Sequence, residues 1–224
     1  MKLLALETAT DACSVALYLD GEIHEDFRIA PRAHTQLLLP MAEGLLQQAG
    51  LRPADLDALA FGRGPGAFTG VRIATAVVQG LAYALDLPVL PVSTLAALAQ
   101  AAHRQYGWQQ IACAMDARMD EVYWGAYVLD ERGLMVLQGD ESVCPPAATP
   151  TLAGTWQGCG SGWVAYADLL HARHPEVALS PQEDWPHAQD VASLAVAALQ
   201  RGEGVSAAGA LPVYLRDQVV HRAG

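Results

Sequence analysis

A carboxylate flanked by hydroxyls at the end of an apolar strand is equipped to hold magnesium and phosphate, and Glu7-Thr8-Ala9-Thr10 offers such a group. Asp116 ends a second apolar stretch, Ile111 to Met115, and Glu121 follows it. A glycine-rich loop, FGRGPGAFTGVR from Phe61 to Arg72, runs into a helical stretch where Arg72 is the only charged side chain from Ala67 to Leu85. Glycines bend through backbone angles closed to other residues and let another surface come close. Where such a loop opens a helix, free N–H groups and the positive dipole end suit an anion. The spacing GxGxxxG matches neither the dinucleotide fingerprint GxGxxG nor the phosphate loop GxxxxGK[ST], and no lysine follows it. Two readings stand open. In one, Glu7, Thr8, Thr10, Gly64, Gly66 and Asp116 are vestigial nucleotide or anion contacts. In the other, the loop is a tight turn, and the acids cap strand ends and pair with Arg63, Arg72 or Arg118. The second is preferred against tight, catalytic ATP binding.

Other chemistry finds less support. A helix begins at His34, but the residue four positions on is Leu38, and one imidazole does not make a site of three or more protein ligands. His34 is expected to hydrogen-bond locally. His171 and His174 stand three apart, yet Pro175 closes the segment and no acid or thiol adjoins them at helical spacing; His24, His103, His187 and His221 are scattered. Ser161 lies in CGSGW, which is not a GxSxG nucleophile elbow. Cys13 and Cys113 fall on apolar strands and read as small core residues. Cys13, Cys113, Cys144 and Cys159 form no CxxC pair. The expectation is a chain with no catalytic residue, no metal site and no stoichiometric zinc or iron.

Composition sets the class. The 224 residues are 52% hydrophobic and 17% charged, which is globular rather than disordered. Lys2 is the only lysine, and the formal net charge is −11. Such a surface repels a polyanion, since nucleic-acid affinity rests mainly on neutralised phosphates. Direct binding of RNA or DNA by the isolated chain is therefore not expected at physiological salt. Only four apolar residues, Leu3 to Leu6, precede Glu7, fewer than an export signal needs. No stretch approaches 18 uninterrupted apolar residues. The thiols are expected to be reduced, the location cytoplasmic, and no membrane is involved.

The elements that would position these residues repeat. Lys2 to Leu6, Cys13 to Leu19 and Glu22 to Ile29 read as a meander with a hairpin turn at Asp20-Gly21. Ile111 to Met115, Glu121 to Leu129 and Leu134 to Gln138 read as a second meander with the same order and spacing. Helical patterning follows the first at His34 to Ala49. Asp57 to Phe61 and Leu87 to Val92 read as strands, with Ser93 as N-cap of a helix through His103. Trp156 to Cys159 is a further strand, and helices are expected from the Gly160-Ser161-Gly162 turn through His171 and from Gln189 to Leu199. Pro212 to Arg216 looks like a docked tail. Alternating strands and helices give α/β layers. The polar stretch His103 to Gln110 marks a boundary, dividing the chain into lobes 1–105 and 106–224.

Two lobes that each open on a three-stranded meander describe the actin-like (ASKHA, RNase H-like) architecture of mixed sheets flanked by helices. LLALETATDACSVAL, HTQLLLPM, AFGRGPGAFTGVRIATAVVQGLA, LPVLPVSTLAALA and MDARMDEVYWGAY resemble the TsaB (YeaZ) family, with weaker echoes in GCGSGW and PVYLRDQVV. The resemblance implies a noncatalytic subunit that binds TsaD and supports transfer of a threonylcarbamoyl group to adenosine 37 of tRNAs reading ANN codons. It further implies the ATPase TsaE as third member, a TsaC product as input, tRNA contact only through the complex, and a homodimer in isolation. Family members carry Asp where this chain has Glu7, and the longer side chain shifts the carboxylate. No cofactor is expected beyond a weak ATP or ADP contact at an interface. The alternatives are an active ATPase or phosphotransferase of the same fold and, less favoured, an M22-type glycopeptidase-like metalloenzyme.

The partner face is read from two helices. His34 to Ala49 carries more apolar residues than one core-facing stripe needs. In the second helix, Ile73, Val77, Leu81 and Ala84 are expected to face the core, leaving an uncharged opposite face. Leu38, Met41, Leu45, Arg72, Thr75, Ala76, Gln79 and Tyr83 are the expected docking residues, with Ala76, Gly80 and Ala84 small enough to admit a partner helix.

Overall fold

The computed structural model of the protein describes residues 1–180 and 184–216. Strands β1 (Lys2–Glu7), β2 (Ala12–Leu19) and β3 (Glu22–Ile29) form an antiparallel meander. Asp20 and Gly21 make the β2–β3 turn with φ of 46° and 113°, left-handed values that an Asp-Gly pair accepts readily. β4 (Ala58–Gly62) and β5 (Val89–Val92) join parallel to β1, giving the order β3-β2-β1-β4-β5. β6 (Gln110–Asp116), β7 (Val122–Leu129), β8 (Met135–Cys144), β9 (Gln157–Cys159) and β10 (Ala178–Leu179) form the second sheet in the order β10-β9-β6-β7-β8. Numbered within each half, both sheets run third, second, first, fourth, fifth. The duplication expected from the meanders is therefore real and extends to the parallel additions.

Helices α1 (His34–Gln48) and α2 (Phe68–Leu85) cover one face of the first sheet, burying Leu38, Met41, Leu45, Val78 and Ala82 against Leu4, Leu6, Val15 and Phe61. α3 (Thr94–Tyr106) follows β5 but packs on the second sheet, where Leu95, Leu98 and Ala102 meet Ile111, Cys113 and Tyr127. α4 (Ser161–Ala165) and α5 (Ala167–Arg173) cover the other face of that sheet around Trp124 and Trp163. The helix expected there is broken at Tyr166, whose φ is −126°. α6 (Ala188–Gln200) returns to the first sheet and lays Val191, Ala192 and Ala195 on Leu3, Ala5, Ala58 and Leu90. A cut at residue 105 thus separates the sheets but not their helices: α3 serves the second sheet and α6 the first.

Polar contacts fasten the crossing helices. Arg104 of α3 donates to both oxygens of the buried Asp190 on α6 at 3.0 and 2.9 Å. Glu25 on β3 accepts from Ser14 at 2.7 Å, from the Gln189 amide at 3.1 Å and from His187, which stacks on Phe27. Among the described helices, α2 alone is long and apolar enough to cross a membrane, yet Val71, Ala74, Val78 and Ala82 lie in the first lobe's core.

Candidate functional site

Between the lobes lies a cleft of about 500 Å³, lined among others by Thr10, Gly66, Phe68, Asp116, Arg118, Tyr214 and Arg216. Its inner corner, where β1 ends and the glycine loop begins, is filled by the chain itself. Glu7 and Thr8 are fully buried. The Glu7 carboxylate accepts from the Ala9 amide at 2.7 Å and from the Thr94 hydroxyl at 3.1 Å. Burial pushes its pKa up to about 7, against the lowering effect of those hydrogen bonds. A Cβ on Gly62 would stand 1.9 Å from the Glu7 carboxylate, and one on Gly70 would stand 2.0 Å from the Thr8 carbonyl. These glycines admit the β1–β2 turn, not a phosphate. The Arg63 and Ala67 amides are taken by Val92 and Ala9 carbonyls at 2.8 and 2.7 Å, and the Thr8 hydroxyl donates to the Gly70 carbonyl.

The nucleotide-contact set is accordingly corrected. Glu7 and Thr8 are sealed from any ligand by packing, and Gly64 is buried with φ of 94° and its carbonyl accepts from the Thr94 amide at 3.0 Å. Thr10, Gly66 and Asp116 remain half-buried in the cleft wall. Asp116 pairs with Arg118 at 2.9 Å and accepts from Tyr166 at 3.2 Å, so the strand-end pairing holds for Arg118. Among the described residues, neither Arg63 nor Arg72 pairs with an acid.

The α1–α2 face also needs correction. Leu38, Met41 and Leu45 are 1, 2 and 6% exposed and belong to the core. Thr75 is buried, with its hydroxyl turned back to the Val71 carbonyl at 2.8 Å. The core side of α2 is Gly70, Val71, Ala74, Thr75, Val78 and Ala82, while Ile73, Val77 and Leu81 only flank it. Bulk misled the sequence assignment. Close approach of helix to strand is made by small residues, Gly70 resting on the Thr8 backbone, so the larger side chains splay to the sides. Arg72, Ala76 and Tyr83 are exposed as expected, Tyr83 at 86%, and Thr69, Gly80 and Ala84 complete the stripe. Gln79 is half-buried and donates to the Ala210 carbonyl at 2.8 Å.

That contact belongs to a feature the sequence only hinted at. Residues 210–216 cross from α2 to the second lobe at the cleft mouth. The Val213 amide donates to the Arg63 carbonyl at 2.8 Å, and Arg72 Nε donates to the Tyr214 hydroxyl at 2.7 Å. Arg216 donates to the Ala117 carbonyl at 3.1 Å and pairs with Glu121. The docked tail was legible at Pro212 to Arg216; its two-lobe anchoring was not, because it depends on carbonyls that no side-chain pattern reveals. The continuation of that motif, with His221, lies outside the described residues.

His34 does not bond locally as expected: it makes no side-chain cap at the start of α1, and its buried ring instead bonds the Ala12 carbonyl on β2 at 3.1 Å. His174 bonds Thr149 at 2.8 Å and stacks on Trp124, and burial lowers its pKa. Among the described residues no three His, Cys, Asp or Glu side chains are grouped to hold a metal ion.

Comparison with known proteins agrees with this geometry. Residues 23–149 match the family model of TsaD, tRNA N6-adenosine threonylcarbamoyltransferase. The chain is 43% identical over 228 residues to the tRNA threonylcarbamoyladenosine biosynthesis protein TsaB of Escherichia coli strain K12, covering 98% of this chain and 96% of that one. It is 37% identical over 235 residues to TsaB of Haemophilus influenzae, covering 98% and 95%. Among solved structures, YeaZ from Pseudomonas aeruginosa superposes with a TM-score of 0.89 at 54% identity, over 96% of this chain and 99% of that one. The duplicated sheets, the two-lobe actin-like fold they build and these likenesses together make one assignment: the chain belongs to the TsaB (YeaZ) family.

Proposed function

We propose that the protein is a noncatalytic subunit of tRNA threonylcarbamoyladenosine biosynthesis, which binds the TsaD transferase and supports its transfer to adenosine 37. The observation that carries the reading is the exposed stripe of α2. It spans Thr69, Arg72, Ala76, Gly80, Tyr83 and Ala84 and holds one charge, whereas a solvated helix face normally carries several and a protein interface is depleted in them. Gly80 sharpens the argument. A mid-helix glycine costs about 1 kcal/mol relative to alanine, and a Cβ there would meet nothing within 4 Å. Among the described residues no contact requires it; a second helix packed against the stripe would. TsaE, the TsaC product and tRNA enter through the assembled complex, and a tRNA substrate puts its work in the cytoplasm. No cofactor is assigned to the chain; an ATP or ADP contact would be confined to the open wall of the cleft at Thr10 and Asp116.

The test is association with purified TsaD. Ala76→Arg inserts a long cation at an exposed small residue in the middle of the stripe, and it should abolish binding while the circular dichroism of the chain stays unchanged. Wild-type binding by that variant would put the docking surface elsewhere. ATP turnover by the isolated chain would favour the phosphotransferase alternative instead.

A further inference from the structure

We propose that Tyr214 of the tail is a positioning residue for docking: it holds Arg72 to receive a carboxylate from the transferase subunit, so that residues 210–216 belong to the partner surface. The inference rests on the docking role given to α2 above. The Arg72 guanidinium carbon lies 3.6 Å from the Phe68 ring centroid and 5.6 Å from that of Tyr214. Both rings are about half exposed, at 50 and 44%. Nε is spent on the Tyr214 hydroxyl at 2.7 Å, which leaves the two terminal amino groups, four N–H donors, for an outside acceptor. Among the described residues no carboxylate takes them.

Tyr214 does not owe its place to Arg72. The backbone on either side is pinned independently: Gln79 holds the Ala210 carbonyl, the Val213 amide holds the Arg63 carbonyl, and Arg216 reaches the second lobe. An arginine laid over one aromatic ring and hydrogen-bonded to the hydroxyl of a second, on an otherwise uncharged face, has the composition of a binding hot spot. A planar guanidinium fixed in advance loses less freedom when a carboxylate meets its fork. The charge calls for an acid, and the stripe from Thr69 to Ala84 contains none. The nearest on this helix is Asp86 at its far end, the C-cap, which could reach Arg72 only in a second copy laid antiparallel.

The experiment is a double-mutant cycle on binding to purified TsaD at low and high salt. Arg72→Ala should weaken binding about 10–100-fold and flatten its salt dependence. Tyr214→Phe, which keeps the ring and drops the hydroxyl, should weaken it about 3–10-fold. In the Arg72→Ala background Tyr214→Phe should have no further effect. Wild-type affinity in Tyr214→Phe, or additive losses in the double variant, would overturn the inference. If Ala76→Arg abolishes binding but Arg72→Ala does not, this inference alone falls. If neither matters, the docking role of α2 falls with it. Sedimentation of the isolated variants separates the remaining occupant: lost self-association with unchanged TsaD binding would give Arg72 to a second copy and overturn the proposal.

Discussion

Glu7, at the end of the first strand, is a carboxyl group turned inward and sealed. Its pKa of about 7, raised from 4.5 by burial, has a consequence that can be measured. The folded protein binds this proton more tightly than the unfolded chain, so stability is greatest below pH 4.5 as far as this group is concerned. It declines as pH rises from 4.5 to 7 and levels off above, a loss of about 3 kcal/mol at about 1.4 kcal/mol per unit. Glu7→Gln keeps an acceptor for the Ala9 amide and lets the Thr94 hydroxyl reverse its role. Urea unfolding at pH 8 should show the variant more stable than the parent, and the parent's slope between pH 4.5 and 7 should be reduced; an unchanged slope would mean that Glu7 is solvated. The residue-level chemistry was only half legible in the sequence. That Glu7, Thr8 and the glycine loop come together follows from the motif. That they spend their hydrogen bonds on one another depends on Gly62 and Gly70 lying within van der Waals reach of the opposite turn, a distance that no spacing encodes.

Element by element, the strands were read well and the helix faces poorly, for a physical reason. A strand alternates sides with period two, and a sheet buried on both faces shows as a run of apolar residues, so β1, β4 and β6 stood out. A helix that is apolar nearly all round gives no phase. On α2 the phase was set by bulk, whereas the fold sets it by smallness. On α1 the wide apolar arc is largely core: Leu38→Glu would bury a charge at a site 1% exposed, so its loss of binding would report unfolding. Gly80 is the better probe. Gly80→Ala should raise the stability of the isolated chain by about 0.5–1 kcal/mol, read as a higher urea midpoint, while weakening association with TsaD. A variant both more stable and equally well bound would remove the packing argument for that glycine.

At the scale of the whole molecule, the duplication was legible because each half repeats a meander and a trailing pattern of helices. The exchange of α3 and α6 was not, since both helices are apolar on a core-facing side and either sheet would suit them. Arg104 and Asp190 fasten the exchange. Removing the arginine leaves a carboxylate that is 1% exposed without its partner, and Arg104→Ala should cost about 2–4 kcal/mol, discounted because the arginine itself is partly solvated. Because each lobe borrows a helix from the other half, unfolding should stay a single transition, with fluorescence and circular dichroism coinciding in urea; separated transitions would show the lobes to be independent. The same exchange governs synthesis on the ribosome. The first sheet has its last strand at Val92, but the helix that covers its inner face ends only at Gln200. At 5–20 residues per second, Leu3, Ala5, Ala58, Ala60 and Leu90 await their cover for on the order of 5–20 s. Nascent chains of this protein therefore present an apolar sheet face to chaperones through the second half of their translation, however stable the finished chain becomes.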